Sequence, residues 1–214
     1  PEDWRRYFVM DYGLDMLAGY WIALDPRGWA YVYRELYEGK DNGLGAGGGG
    51  HIVSEAARRI RELTPPGEKL YSRIAPPDLW NRQKDTGQSI AELFAREGLP
   101  LTRASNDRVM GWLALREWLR PTVDESGEPA AGLRIFENCL NLIRCLPALQ
   151  CDPKDPQDVA AEPHELTHGP DALRYFVAGR PRPGRPAAPP PHYNFEFERP
   201  KPSPGGYGER VKVI

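Results

Sequence analysis

Tyr7-Phe8-Val9-Met10-Asp11 is a run of four apolar residues that stops on a carboxylate. A continuous apolar run, without the alternation of a half-exposed strand, predicts a strand covered on both faces. Aromatic and β-branched runs follow at residues 19–24 and 29–37, and Asp25-Pro26-Arg27-Gly28 between them is turn chemistry. Three strands with such short connections make an antiparallel meander, and Asp11 stands at the end of its first strand.

Beyond the meander, helical and strand patterns alternate. Ile52, Ala56, Ile60 and Leu63 step at helical spacing until Pro65-Pro66. Residues 69–75 read as a strand running into Pro76-Pro77-Asp78. Ser89 stands three residues before Glu92, a capping box that opens a helix with Ile90, Leu93 and Phe94 on its apolar face, ended by Gly98. Residues 101–104 are a short strand, and Asn106-Asp107 begins a helix carrying Val109, Trp112, Leu113, Leu115 and Leu119. Residues 133–136 predict another strand and 138–146 a short helix closed by Pro147. A last helix centres on residues 171–176.

The simplified order is βββαβαβα with a late helix. A meander extended by αβ crossovers gives an α/β fold: a mixed sheet with helices on both faces, the element order of ribonuclease H-like folds.

The 214 residues suit one domain with some excess, and 40% hydrophobic residues suffice for a real core. The 23 Pro and 22 Gly are too many for a compact domain; they concentrate near residues 43–50 and from Arg180 onward. Residues 1–179 form the expected domain. Residues 180–214 hold 9 Pro and seven Lys/Arg against three Asp/Glu, a basic tail expected to be extended and disordered. Phe195, Phe197 and Tyr207 are candidate anchors in it. The Gly-rich residues 43–50 lack the Lys-Ser/Thr of a phosphate loop and read as a flexible surface loop.

The net charge of −2 gives no global basic footprint, but acidic metal ligands can offset basic flanks, so the sum excludes little. Cys139, Cys145 and Cys151 lie six residues apart, which suits neither a zinc knuckle nor a disulfide framework. The first two flank apolar residues and read as small buried hydrophobes, compatible with a reducing, intracellular setting. No run approaches the ~18 apolar residues of a membrane span, and no membrane partner is expected. A start at Pro1 with no Met and no signal peptide suggests a piece of something longer.

Three carboxylates mark strand ends and the last helix: Asp11 after the first strand, Asp78 after the fourth and Asp171 opening the final helix. Adjacent strand ends converge at one edge of a mixed sheet, and clustered carboxylates there call for hard divalent cations. His168 precedes Asp171 by three residues, so both project from one helix face. Each has an ordinary reading too. Asp78 after Pro-Pro suits a turn, Asp171 suits a first helical turn, and His168 and still more His164 suit a cap or a surface position.

Five stretches resemble the large terminases of tailed phages. They are Ala75-Pro76-Pro77-Asp78-Leu79-Trp80, Asp85-Thr86-Gly87-Gln88-Ser89-Ile90-Ala91-Glu92, Asn106-Asp107-Arg108-Val109-Met110-Gly111-Trp112, Ile135-Phe136-Glu137-Asn138-Cys139, and His168-Gly169-Pro170-Asp171-Ala172-Leu173-Arg174-Tyr175. The resemblance covers about Tyr7 to Val177, that family's C-terminal nuclease half. It implies a ribonuclease H-like endonuclease that uses two Mg²⁺ or Mn²⁺ ions to cut concatemeric viral DNA during packaging. Asp11, Asp78 and Asp171 are then the metal-binding acids and His168 lies near the metals, with Asp15 and Glu35 as rivals for the middle acid. Arg82, Lys84, Arg103, Arg108 and Arg116 are candidates to line the DNA approach. Implied partners are double-stranded DNA, the ATPase domain, and the portal and small terminase subunit, in the host cell cytoplasm. No G-x-x-x-x-G-K-[ST] is present, so ATP hydrolysis is not expected of this chain. A junction resolvase or integrase of the same fold, and a non-catalytic portal-docking module with a basic tail, are the competing readings.

Overall fold

The computed structural model describes residues 1–13, 15–39, 51–179 and 181. The first three strands are β1 (Arg5–Tyr12), β2 (Met16–Leu24) and β3 (Ala30–Gly39). They form the expected antiparallel meander, with Asp11 opposite Ala18. Helix α1 (Val53–Leu63) leads to β4 (Leu70–Ala75), which pairs parallel to β1. Helix α2 (Ile90–Arg96) and β5 (Thr102–Arg103) extend that side, β5 parallel to β4. Helix α3 (Arg108–Leu119), a two-strand hairpin of β6 (Thr122–Val123) and β7 (Pro129–Ala130), strand β8 (Leu133–Ile135), α4 (Leu140–Cys145) and α5 (His168–Ala178) complete the described chain. The sheet order is β5-β4-β1-β2-β3-β8, a mixed sheet with β8 parallel to β3 at the far edge.

β1 and β2 lie in the middle of the sheet, which is why their residues are apolar on both sides. Successive side chains alternate between faces. Phe8, Met10 and Tyr12 pack with Leu17, Trp21, Ala56, Ile60 and Phe94 on the α1/α2 face. Tyr7 and Val9 pack with Trp112, Leu142, Leu173 and Phe176 on the α3/α4/α5 face. By the same alternation Asp11 points toward α5.

α5 carries the fold's main polar surprise. Its residues from His168 to Val177 are all buried, including His168, Asp171 and Arg174. Charge this deep requires partners close by. The helix also begins earlier than the apolar pattern indicates, so Asp171 lies at its fourth residue and does not open it.

The capping box forms as its sequence dictates: Glu92 N donates to Ser89 Oγ, and Ser89 N donates to the Glu92 carboxylate. Cys139 and Cys145 are buried and Cys151 is exposed, all as free thiols. The strand expected at 101–104 shortens to two residues, and the hairpin of β6 and β7 has no counterpart in the apolar pattern. The Gly-rich loop at 43–50 and, apart from Pro181, the tail at 180–214 lie outside the described residues.

Candidate metal centre

The C-terminal ends of β1 and β4, which run parallel, open toward the first turn of α5. Asp11 Oδ2 lies 2.6 Å from His168 Nδ1. The pair is largely enclosed, with 17% of the Asp11 side chain and 6% of the His168 side chain exposed. Burial pushes the Asp11 carboxyl above its usual range, and the charges of Asp171 and Asp78 push the same way, against the bond to His168. For His168, burial disfavours the imidazolium, but the bond to Asp11 and the charges of Asp11, Asp15 and Asp171 outweigh it, and its pKa rises.

Asp171 is tied down on its other side. Its Oδ1 accepts from Arg174 Nε at 2.7 Å and from Arg108 at 3.3 Å. Arg108 in turn grips Asp158 with Nε at 3.0 and 3.2 Å, and Trp112 Nε1 donates to Asp158 at 2.8 Å. Asp78 sits in the 3-10 turn Pro77–Trp80 just after β4, exposed, its carboxylate without a hydrogen bond or ion pair among the described residues. Asp11, Asp78, Asp171 and His168 therefore converge electrostatically, although only Asp11 and His168 touch.

Neither a protein-family model nor a curated protein matches this sequence. Its structure does have counterparts. The large terminase of one thermophilic bacteriophage superposes with a TM-score of 0.60 and 16% identity over 82% of this chain and 39% of its own. The large terminase nuclease from thermophilic phage G20c superposes with a TM-score of 0.52 and 16% identity, over 85% of this chain and 84% of its own. The chain has the fold of a large terminase nuclease domain. The nuclease domain from bacteriophage SPP1, with bound Mn, aligns with a TM-score of 0.49 and 21% identity, over 83% of this chain and 86% of its own. The chain thus spans about 39% of the first of these terminases and most of the two separate nuclease domains.

Within this terminase nuclease fold, the two rivals for the middle acid separate. Glu35 accepts from the backbone N–H groups of Asn141 and Leu142 at 3.0 and 2.8 Å and from Asn141 Nδ2 at 3.0 Å. It caps α4, and three of its roughly four lone-pair sites are taken there. Asp15, just past the β1 end, faces His164 instead, with Oδ2 3.3 Å from His164 Nδ1. His164 is exposed, as expected, and its ring stands T-shaped to His168 with centroids 4.3 Å apart and its Nδ1 3.3 Å from His168 Nε2. The signal available in sequence was the four-residue spacing of the two histidines, which puts two rings on one side of a helical turn. Of the five candidate DNA-facing cations, Arg108 is committed to carboxylates, while Arg82, Lys84, Arg103 and Arg116 are exposed.

Proposed function

We propose that this chain is the DNA-cutting part of a large terminase, a metal-dependent endonuclease that cuts concatemeric viral DNA during genome packaging. The observation that carries the reading is the Asp11–His168 pair at the end of β1, with Asp171 and Asp78 close enough to perturb it, on a fold shared with terminase nucleases.

The donors suit divalent cations. Carboxylate oxygens and imidazole nitrogens are the ligands that hard and borderline ions take. Asp11 is desolvated beside like charges, and Asp78 lacks a protein partner among the described residues; both conditions favour a cation. Asp11, Asp78, Asp171 and His168 would hold Mg²⁺ or Mn²⁺, two ions in all, which when bound supply an activated water and stabilise the departing 3′ oxygen.

The protein's own part is positioning. Asp11 fixes the His168 ring from behind. Arg174 and Arg108 occupy Oδ1 of Asp171 and set the direction of Oδ2. Asp78 stays open to solvent and substrate.

DNA would be gripped through phosphates by exposed Arg82, Lys84, Arg103 and Arg116, with little sequence information. Residues 1–179 carry a net charge of −6, so binding by the isolated chain should be weak and salt-dependent. Stronger grip would come from an ATPase domain, with the portal and small terminase subunit as further partners in the host cytoplasm. Residues 1–179 would be the nuclease domain and 180–214 a dispensable basic tail. No described helix is long and apolar enough to cross a membrane.

The test is plasmid cleavage in Mn²⁺ and in Mg²⁺, with Asp11→Asn as control. Cutting by the native chain that disappears in the variant supports the reading; cutting without added metal, or cutting that survives Asp11→Asn, overturns it.

A further inference from the structure

The same end of α5 holds a second donor set, rich in nitrogen, that the carboxylates do not account for. His164 Nδ1 lies 3.3 Å from His168 Nε2 and 3.3 Å from Asp15 Oδ2. One donor atom from each of the three residues falls within 4.8 Å of the others.

The geometry of the three donors suits an ion. Asp11 holds the His168 ring at Nδ1 and leaves Nε2 as the ring's outward-facing ligand atom. A cation held among these donors would be bound by all three. The spacing suits it, because ligands at about 2.0–2.1 Å from a tetrahedral ion lie about 3.3 Å apart.

Gly13 supplies an independent observation. A Cβ there would come within 3.2 Å of Asp15 Oδ1 and 4.0 Å of His168 Cε1. The bare backbone leaves room for the Asp15 carboxylate beside the His168 ring.

We propose that Asp15, His164 and His168 form a transition-metal site, taking Zn²⁺, Co²⁺ or Mn²⁺ in preference to Mg²⁺, with Asp11 orienting His168 from outside. Two imidazoles and one carboxylate favour borderline ions, while Mg²⁺ demands oxygen ligands and keeps its waters. This deepens the proposed function: His168 Nε2 would ligate one of that site's two ions, and Asp15 and His164 would complete that ion's ligands and set its preference. The recognition of the ion does not depend on DNA.

The experiment is a Co²⁺ titration of the full chain followed by visible absorption, beside calorimetric titrations with Zn²⁺ and Mg²⁺. The expected result is the intense absorption of four-coordinate Co²⁺, strong Zn²⁺ binding and weak Mg²⁺ binding. His164→Ala and Asp15→Asn should each weaken Co²⁺ binding by about tenfold or more. Both side chains are about half exposed, so the variants should fold, and their melting curves check this. Gly13→Ala should weaken binding by crowding Asp15. If Co²⁺ binds His164→Ala and Asp15→Asn as it binds the native chain, the site is refuted. Plasmid cleavage in Mg²⁺ separates the two readings. Cutting that depends on Asp11, with Co²⁺ binding indifferent to His164, keeps the nuclease and removes this site. Co²⁺ binding through His164 and Asp15 in a chain that never cuts does the reverse.

Discussion

Arg174 Nε donates to Asp171 Oδ1 across 2.7 Å, one turn along a helix whose first ten residues are buried. The guanidinium is 1% exposed, lies over the Tyr175 ring at 4.4 Å, and leaves its NH1 atom buried without a partner among the described residues. A charge held this way balances the carboxylate beside it.

Arg174→Met should therefore destabilise the chain by about 3–5 kcal/mol, because it leaves Asp171 half-compensated in a dry environment. Urea denaturation measures this directly. A loss below about 1 kcal/mol would mean that Arg108 alone suffices for Asp171. Gly111→Ala attacks the same pair sterically, since its Cβ would lie 2.6 Å from Arg174 Cγ. The helix-propensity gain of about 1 kcal/mol should be outweighed by overpacking of about 1–3 kcal/mol.

Glu35 should behave as a structural residue. Its two oxygens satisfy the backbone N–H groups of Asn141 and Leu142 at the start of α4. Glu35→Ala should cost about 1–2 kcal/mol, the usual worth of a helix cap, and leave metal binding unchanged. Loss of metal binding in a variant that still folds would return Glu35 to the list of ligands.

What was legible in the sequence was local. The apolar run at Tyr7–Met10, the turn at Asp25–Gly28 and the Ser89/Glu92 capping box each encode their structure within a few residues, and all three appear. The meander then fixed Asp11 at a strand end without further information. Less visible was anything set by distant packing. β8 contributes three residues to the sheet edge beside a strand about 100 residues earlier, which no periodicity announces. The β6–β7 hairpin turns at Asp124–Gly127, a polar signal lost between two stronger helices. The role of His164 depends on the 3-10 turn His164–Leu166 carrying its ring back over His168. Likewise, nothing near Arg108 in sequence indicates that it bridges Asp158 and Asp171.

The Asp158 bridge should appear in the pH dependence of stability. Burial works against the Asp158 charge, but Arg108, the Val159 backbone N–H and the Trp112 indole outweigh it and hold the carboxyl below its usual range. A carboxyl lowered on folding contributes stability above its unfolded pKa, near 4, and loses that contribution as pH falls through the folded value. Asp158→Asn should thus melt at a lower temperature than the native chain at pH 7, and the gap should close toward pH 3. A gap independent of pH would assign the effect to lost hydrogen-bond geometry and not to charge.

Asp11→Asn brings the metal question to a single residue. In the absence of cations the native chain holds a desolvated carboxylate, raised by burial and by the charges of Asp171 and Asp78. Replacing it with an amide removes that repulsion while keeping an oxygen that can accept from His168 Nδ1. The metal-free variant should melt no lower than the native chain, and slightly higher where the relief exceeds the lost attraction to His168. Divalent cations bind only the assembled site, so they should raise the native melting temperature by mass action, about 2.7 kcal/mol of stability at a hundredfold excess over Kd. Asp11→Asn should lose most of that shift with Mg²⁺ and all detectable DNA cleavage. His168→Ala should reduce cutting less, since the carboxylates would still hold the ions. Melting curves with and without Mg²⁺, beside plasmid cleavage by the same preparations, decide between these outcomes. An undiminished metal shift in Asp11→Asn would remove Asp11 from the centre and leave Asp15, His164 and His168 to hold the ion alone.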